Sequence, residues 1–178
     1  ENTAPSNVVT ENKLKLRVTL NETQGADGVN QKFMLQYSEW GDFSRGVTDL
    51  VGTSTCTVNS IWCYATSTTV FDDTAISTLL LTDSAAKGRH NGAATSTSTS
   101  HPSASTATEY EFTIKHAGAR VNTTYFFRVF DVTNNRPVVL GSGEAYPSLS
   151  TEGATVSFGI TGVATSTLVA NETMDVTT

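Results

Sequence analysis

Apolar and polar residues alternate one for one in several separate stretches of this chain, and that period of two constrains the fold more than any other feature. In KLKLRVTL (13–20), Leu14, Leu16, Val18 and Leu20 point one way and Lys13, Lys15, Arg17 and Thr19 the other, as in a strand with one wet face. Turn formers follow in NETQGADGVN, and KFMLQYSEW resumes the alternation through Phe33, Leu35 and Tyr37. EYEFTIKH repeats it through Tyr110, Phe112 and Ile114. TTYFFRVFDV (123–132) is apolar on both faces, as a central strand must be: Tyr125, Phe127 and Val129 belong to a core, while Phe126 and Phe130 face the other way, under a loop or a neighbouring chain. Arg128, alone among them, is expected to lay its aliphatic stem along that second face with its charge at the rim. No amphipathic helix of ordinary length is visible, and many short strands with turns between them predict an all-β antiparallel sandwich.

Between these strands the pattern weakens. From Gly41 to about Ser67 the chain reads as a long irregular excursion, and STTVF and ISTLLLT read as short strands after it, the second with a helical turn as the alternative because Ile76, Leu79 and Leu80 also match a helical period. TSTSTSHPSASTAT (95–108) is too small and polar to order itself, and is an exposed loop or a glycan-bearing tract. RPVVLG is a short strand opening on Pro137, and YPSLST closes the unit. The expected organisation is an N-terminal extension (1–12), a sandwich (13–151) with a long insertion at about 41–108, and a C-terminal strand extension (152–178). In that extension ATVSFGITGV alternates through Val156, Phe158 and Ile160, and Leu168, Met174 and Val176 follow.

Charged residues make up only 16% of the 178, the net charge is −6 and the pI about 4.9, so the basic footprint that a phosphate backbone requires is missing and nucleic acid is not an expected partner. No apolar run reaches the length of a membrane helix, and no basic-apolar leader opens the chain; ENTAPSNVV reads as a processed N-terminus or an artificial boundary. Export is argued instead from Cys56 and Cys63, the two cysteines, which read as a local disulfide formed in an oxidising compartment. Closing so short a loop stabilises by about 2.5 kcal/mol in the chain-entropy model. Two free thiols, one of them buried, are the alternative, and no histidine has finger-like spacing for zinc.

The stretch GARVNTTYFFRVFDV resembles the turn and strand F of a fibronectin type III or immunoglobulin-like domain, KFMLQYSEWGDF resembles strand C with its following turn, and YPSLST resembles the closing strand. LRVTL, FMLQYSEW, YFFRVFD and YPSLST together are similar to surface-protein repeats of environmental, reduced-genome bacteria. The resemblance covers roughly residues 13–151 and implies an immunoglobulin/fibronectin III-like β-sandwich in which Tyr125 is the corner tyrosine, its hydroxyl bonded to upstream backbone. The chain departs from the fibronectin pattern in having no tryptophan in KLKLRVTL, a long insertion between Trp40 and Glu109, and no integrin-binding tripeptide, so the resemblance carries the fold and not receptor binding.

Chemistry is sparse. A nucleophilic triad needs a shaped Ser or Cys turn, yet no G-x-S-x-G occurs, and His90, His101 and His116 read as surface histidines at loops or strand ends. Glu109 and Glu111 lie two apart on one strand face, where they would repel instead of flanking a sugar, and read as solvated edge carboxylates. Asp72, Asp73 and Asp83 are calcium candidates, without the D-x-D-x-D-G loop. Trp40, Phe43, Trp62 and Tyr64 either cap the sandwich or stack on sugar rings. Asn21, Asn122 and Asn171 open N-glycosylation sequons.

The expectation is therefore a non-enzymatic extracellular structural protein without cofactors or membrane insertion. It would be a subunit of a cell-surface filament or other assembly, made of copies of itself joined head to tail through the strand of Val156, Phe158 and Ile160. The alternatives are a carbohydrate or cell-surface adhesion module with surface glycans as partners, or an accessory domain of a larger secreted protein.

Overall fold

The computed structural model describes residues 4–53, 61–93, 96–97 and 102–153. Within them run nine strands: β1 (Leu14–Asn21), β2 (Phe33–Ser38), β3 (Thr48–Asp49), β4 (Trp62–Tyr64), β5 (Ala86–Asn91), β6 (Ala107–His116), β7 (Thr124–Asp131), β8 (Arg136–Pro137) and β9 (Ser148–Ser150). They make two packed sheets, each organised around one long strand that is rich in apolar residues. In the first, β6 is central: β1 pairs antiparallel along one side, from Leu14 opposite Ile114 to Asn21 opposite Ala107, while β4 and β5 share the other side. In the second, β7 is central, with β2 and then β3 on one side and β8 and β9 on the other.

The alternation of TTYFFRVFDV is realised as read. Tyr125, Phe127 and Val129 are buried, and Phe126, Arg128 and Phe130 are half-buried on the opposite face. The core joins Leu35 and Tyr37 of β2 and this row of β7 to Tyr110, Phe112 and Ile114 of β6. Trp62 ties the two sheets together: its ring sits 5.5 Å from Tyr125, 5.2 Å from Phe127 and 5.0 Å from His116. The Tyr125 hydroxyl accepts a hydrogen bond from the Arg120 amide at 3.1 Å, so the corner is pinned to backbone five residues upstream. Val8 also reaches the core, and its strand bridge to Thr151 attaches the start of the chain to the second sheet.

Phe126 is covered by Gly41, where an added Cβ would stand 3.1 Å from its ring, so the turn after β2 lies directly on this face. Arg128 does not end at a free rim: its guanidinium lies 4.6 Å from the Phe43 ring centroid and its Nε donates to Gln36 at 2.8 Å.

Four expectations need correcting. Part of the 95–108 tract is ordered: Thr97 is buried, its hydroxyl accepting from the Phe33 amide and its own amide donating to the Phe33 carbonyl, and Ala107 and Thr108 open β6. STTVF and ISTLLLT form no strands, because the chain there bends across the outer face of the first sheet and its amides bind side chains. β5, which no alternation marks, runs parallel to β6 with an irregularity between Lys87 and His90 and carries His90 near its end. The excursion also contains β3 and β4; three residues, all buried, are too short to display a period.

Trp62→Ala should cost about 3–5 kcal/mol by opening a cavity between the sheets, whereas Tyr125→Phe should cost about 1 kcal/mol by stranding the Arg120 amide. Urea unfolding measures both, and equal effects would contradict the central place of Trp62.

Candidate functional site

The most concentrated chemistry lies on the outer face of the first sheet. Strand pleat puts Glu109 and Glu111 of β6 on that face, beside Lys15 and Arg17 of β1 and His90 of β5. Glu109 and Glu111 are not solvated: both carboxylates are at most 1% exposed, which corrects the sequence reading. They stay ionised through partners. Arg17 bridges the pair, with an ion pair to Glu109 and Nε on Glu111 at 2.7 Å, while Lys15 reaches Glu111 at 3.2 Å. The Leu80 and Leu81 amides donate to Glu109 at 3.0 and 2.9 Å, and Arg17 also donates to the Thr78 carbonyl at 2.6 Å. Arg17 and Glu109 thus lie under a cover that includes Thr78, Leu80 and Leu81, while Lys15 reaches Glu111 from the solvent side.

His90 completes the group. It is fully buried, and its Nδ1 lies 3.0 Å from Glu111. With Glu111 ionised, Nδ1 carries the proton and donates, leaving Nε2 as an acceptor without a partner among the described residues. A Cβ on Gly92 would stand 2.9 Å from that nitrogen, so the glycine permits the close turn around it. Burial holds His90 below the ordinary imidazole range, against the opposing pull of Glu111. Burial pushes both carboxyls up, but the Leu81 amide and Arg17 on Glu109, and Lys15 and Arg17 on Glu111, outweigh it and hold them below the ordinary range.

His116 is likewise buried, not a surface histidine: its Nε2 donates to the Val8 carbonyl at 3.3 Å and its Nδ1 accepts from the Ala119 amide. His101 lies outside the described residues. The calcium candidates do not gather: Asp72 accepts from the Gly92 amide at 2.7 Å, Asp73 pairs with Arg89 at 3.4 Å and Asp83 is exposed. Among the described residues no three His, Cys, Asp or Glu side chains are placed to hold a metal ion.

The aromatic cluster divides. Trp62 and Tyr64 are wholly buried and Phe43 nearly so, packed on Tyr146 at 4.7 Å; Trp40 is partly exposed beneath Arg45. A sugar platform of Trp40 with Trp62 is therefore not formed.

Cys63 is buried in β4 and is not a free thiol; Cys56 lies outside the described residues. Asn21 and Asn122 are exposed, and Asn171 and the expected assembly residues Val156, Phe158 and Ile160 lie outside the described residues. No helix of the described residues is long and apolar enough to cross a membrane.

The sequence reading missed the buried network because alternation treats every polar face as wet. A signal was present: a Lys-x-Arg pair in one strand and a Glu-x-Glu pair in another present opposite charges at the same two-residue spacing. No family model matches the chain, and neither a curated protein nor a solved structure is significantly similar to it.

Replacing Arg17 by Met should destabilise by about 3–5 kcal/mol, because two buried carboxylates lose their shared cation. Acid should act on the same network. His90, Glu109 and Glu111 all have folded pKa values below their ordinary ones, so the unfolded chain binds more protons as pH falls and stability drops with it. The loss begins near pH 6.5 with His90 and deepens below about 4.5 with the carboxylates. The urea midpoint should fall steadily from pH 7 to pH 4, and His90→Gln should remove the upper part of that slope; a midpoint that rises on acidification would contradict the network.

Proposed function

We propose that this chain is a non-enzymatic structural subunit of an extracellular or cell-surface assembly, joined head to tail through β-strands. The observation that carries the reading is that the described residues between Val8 and Leu149 already build a two-sheet core, while the sequence keeps strand-like alternation further on, at Val156, Phe158 and Ile160. A strand without core of its own gains main-chain hydrogen bonds and side-chain pockets by adding to another sheet. Donation from one copy to the next does not close on itself and produces a filament. The immunoglobulin-like resemblance and the Tyr125 corner fit such a subunit, and a Cys56–Cys63 disulfide, as read from the sequence, would fit an oxidising exterior. Asn21 and Asn122, exposed at the end of β1 and before β7, are accessible to glycan attachment.

Removal of residues 154–178 should leave the thermal unfolding midpoint little changed and abolish fibres in negative-stain micrographs. Fibres from the shortened protein would reject the reading.

A further inference from the structure

Among the described residues one long strand edge is open. β1 pairs with β6 on one side only, and no other described strand pairs with it. The segment before it turns away to the second sheet, where Val8 bridges Thr151, so the start of the chain does not cover this edge. The ladder shows which backbone groups are left over. Glu22, in register with Thr106 beyond the end of β1, donates its amide to the Thr106 carbonyl. In an antiparallel pair hydrogen-bonded positions recur every second residue, so Leu14, Leu16, Val18 and Leu20 bond to β6, and the N–H and C=O of Lys15, Arg17 and Thr19 point outward. The opposite side of β6 agrees, since Ala85 and Ala65 bond to the carbonyls of Ala107 and Thr113, the alternate set.

Open edges are ordinarily defended by proline, bulges or free charge. β1 has no proline, and its register with β6 is unbroken over all eight residues. Its two cations are drawn onto the outer face by Glu109 and Glu111. Its inward row, Leu14, Leu16, Val18 and Leu20, packs against the core yet remains partly exposed along this side. An added strand with apolar residues at every second position would cover that row.

We propose that the open edge of β1 is the acceptor for residues 155–161 of a second copy, with Val156, Phe158 and Ile160 laid against the Leu14–Leu20 row and main-chain bonds made to Lys15, Arg17 and Thr19. This rests on the head-to-tail reading above and names its receiving surface. The occupant is argued from the chain itself: 154–178 lies outside the described residues, follows directly on Gly153, and carries this alternation without a single Lys or Arg to oppose the basic residues of β1.

Two full-length variants test it. Thr19→Pro removes an outward N–H without breaking a bond to β6, so it disables the acceptor and spares the donor. Phe158→Asp disables the donor and spares the acceptor. Each alone should sediment as a monomer under conditions where the unchanged chain assembles, and an equimolar mixture should form a 1:1 dimer and stop there. Circular dichroism and the thermal midpoint establish that both are folded, and Lys15→Pro, which removes another outward N–H, takes the place of the Thr19 variant if that one unfolds. Undiminished assembly by the Thr19 variant, or a mixture that stays monomeric, overturns the β1 acceptor while leaving head-to-tail assembly standing. An unchanged chain that remains monomeric at all concentrations overturns both.

Discussion

Arg17 is the interaction on which the first sheet depends. Two glutamates two residues apart on the central strand cannot be covered while they repel each other, and one guanidinium shared between them turns a repulsive face into one that can be buried. The cover then follows in part from the carboxylates themselves: Glu109 binds the amides of Leu80 and Leu81, and Arg17 binds the Thr78 carbonyl, which together with buried Ile76 fixes the segment over this face. His90 fills the remaining corner and brings β5 alongside β6. A polar face thereby becomes a second layer of buried structure outside the main core.

The arrangement has a consequence at the sheet edge. Lys15 and Arg17 would defend β1 if their charges stood free, yet both are held over β6 by the glutamates. Inner-face packing and outer-face ion pairing between them account for every side chain from Leu14 to Val18, and Thr19 bonds to Ser84. What remains unmatched is main chain, and main chain pairs with any strand of suitable pattern. The same residues that stabilise the monomer thus define what it presents to a neighbour.

How much of this was legible in the sequence follows from what alternation can report. β1, β2, β6 and β7 are long enough to show a period, and the division of β7 into Tyr125, Phe127 and Val129 against Phe126 and Phe130 was readable because each strand face has one role. β4 was hidden, since Trp62, Cys63 and Tyr64 are all buried. β5 was hidden because Gly88, Arg89 and His90 carry turn-like chemistry, and its parallel pairing is interrupted beside the glycine. Alternation equates polar residues with solvent and so gives no sign that Glu109, Glu111 and His90 are buried; only pairing their charge pattern with that of β1 locates them. The cover of Phe126 by Gly41 depends on a turn geometry that no residue pattern states.

The most direct test of the account is residue-resolved hydrogen exchange on β1, comparing the dissociated chain with the assembled one. In the dissociated chain the amides of Leu14, Leu16, Val18 and Leu20 should already be protected by β6, with those of Lys15, Arg17 and Thr19 exchanging fast; assembly should slow these last three selectively. Protection that is unchanged at Lys15, Arg17 and Thr19 on assembly would contradict strand addition at β1.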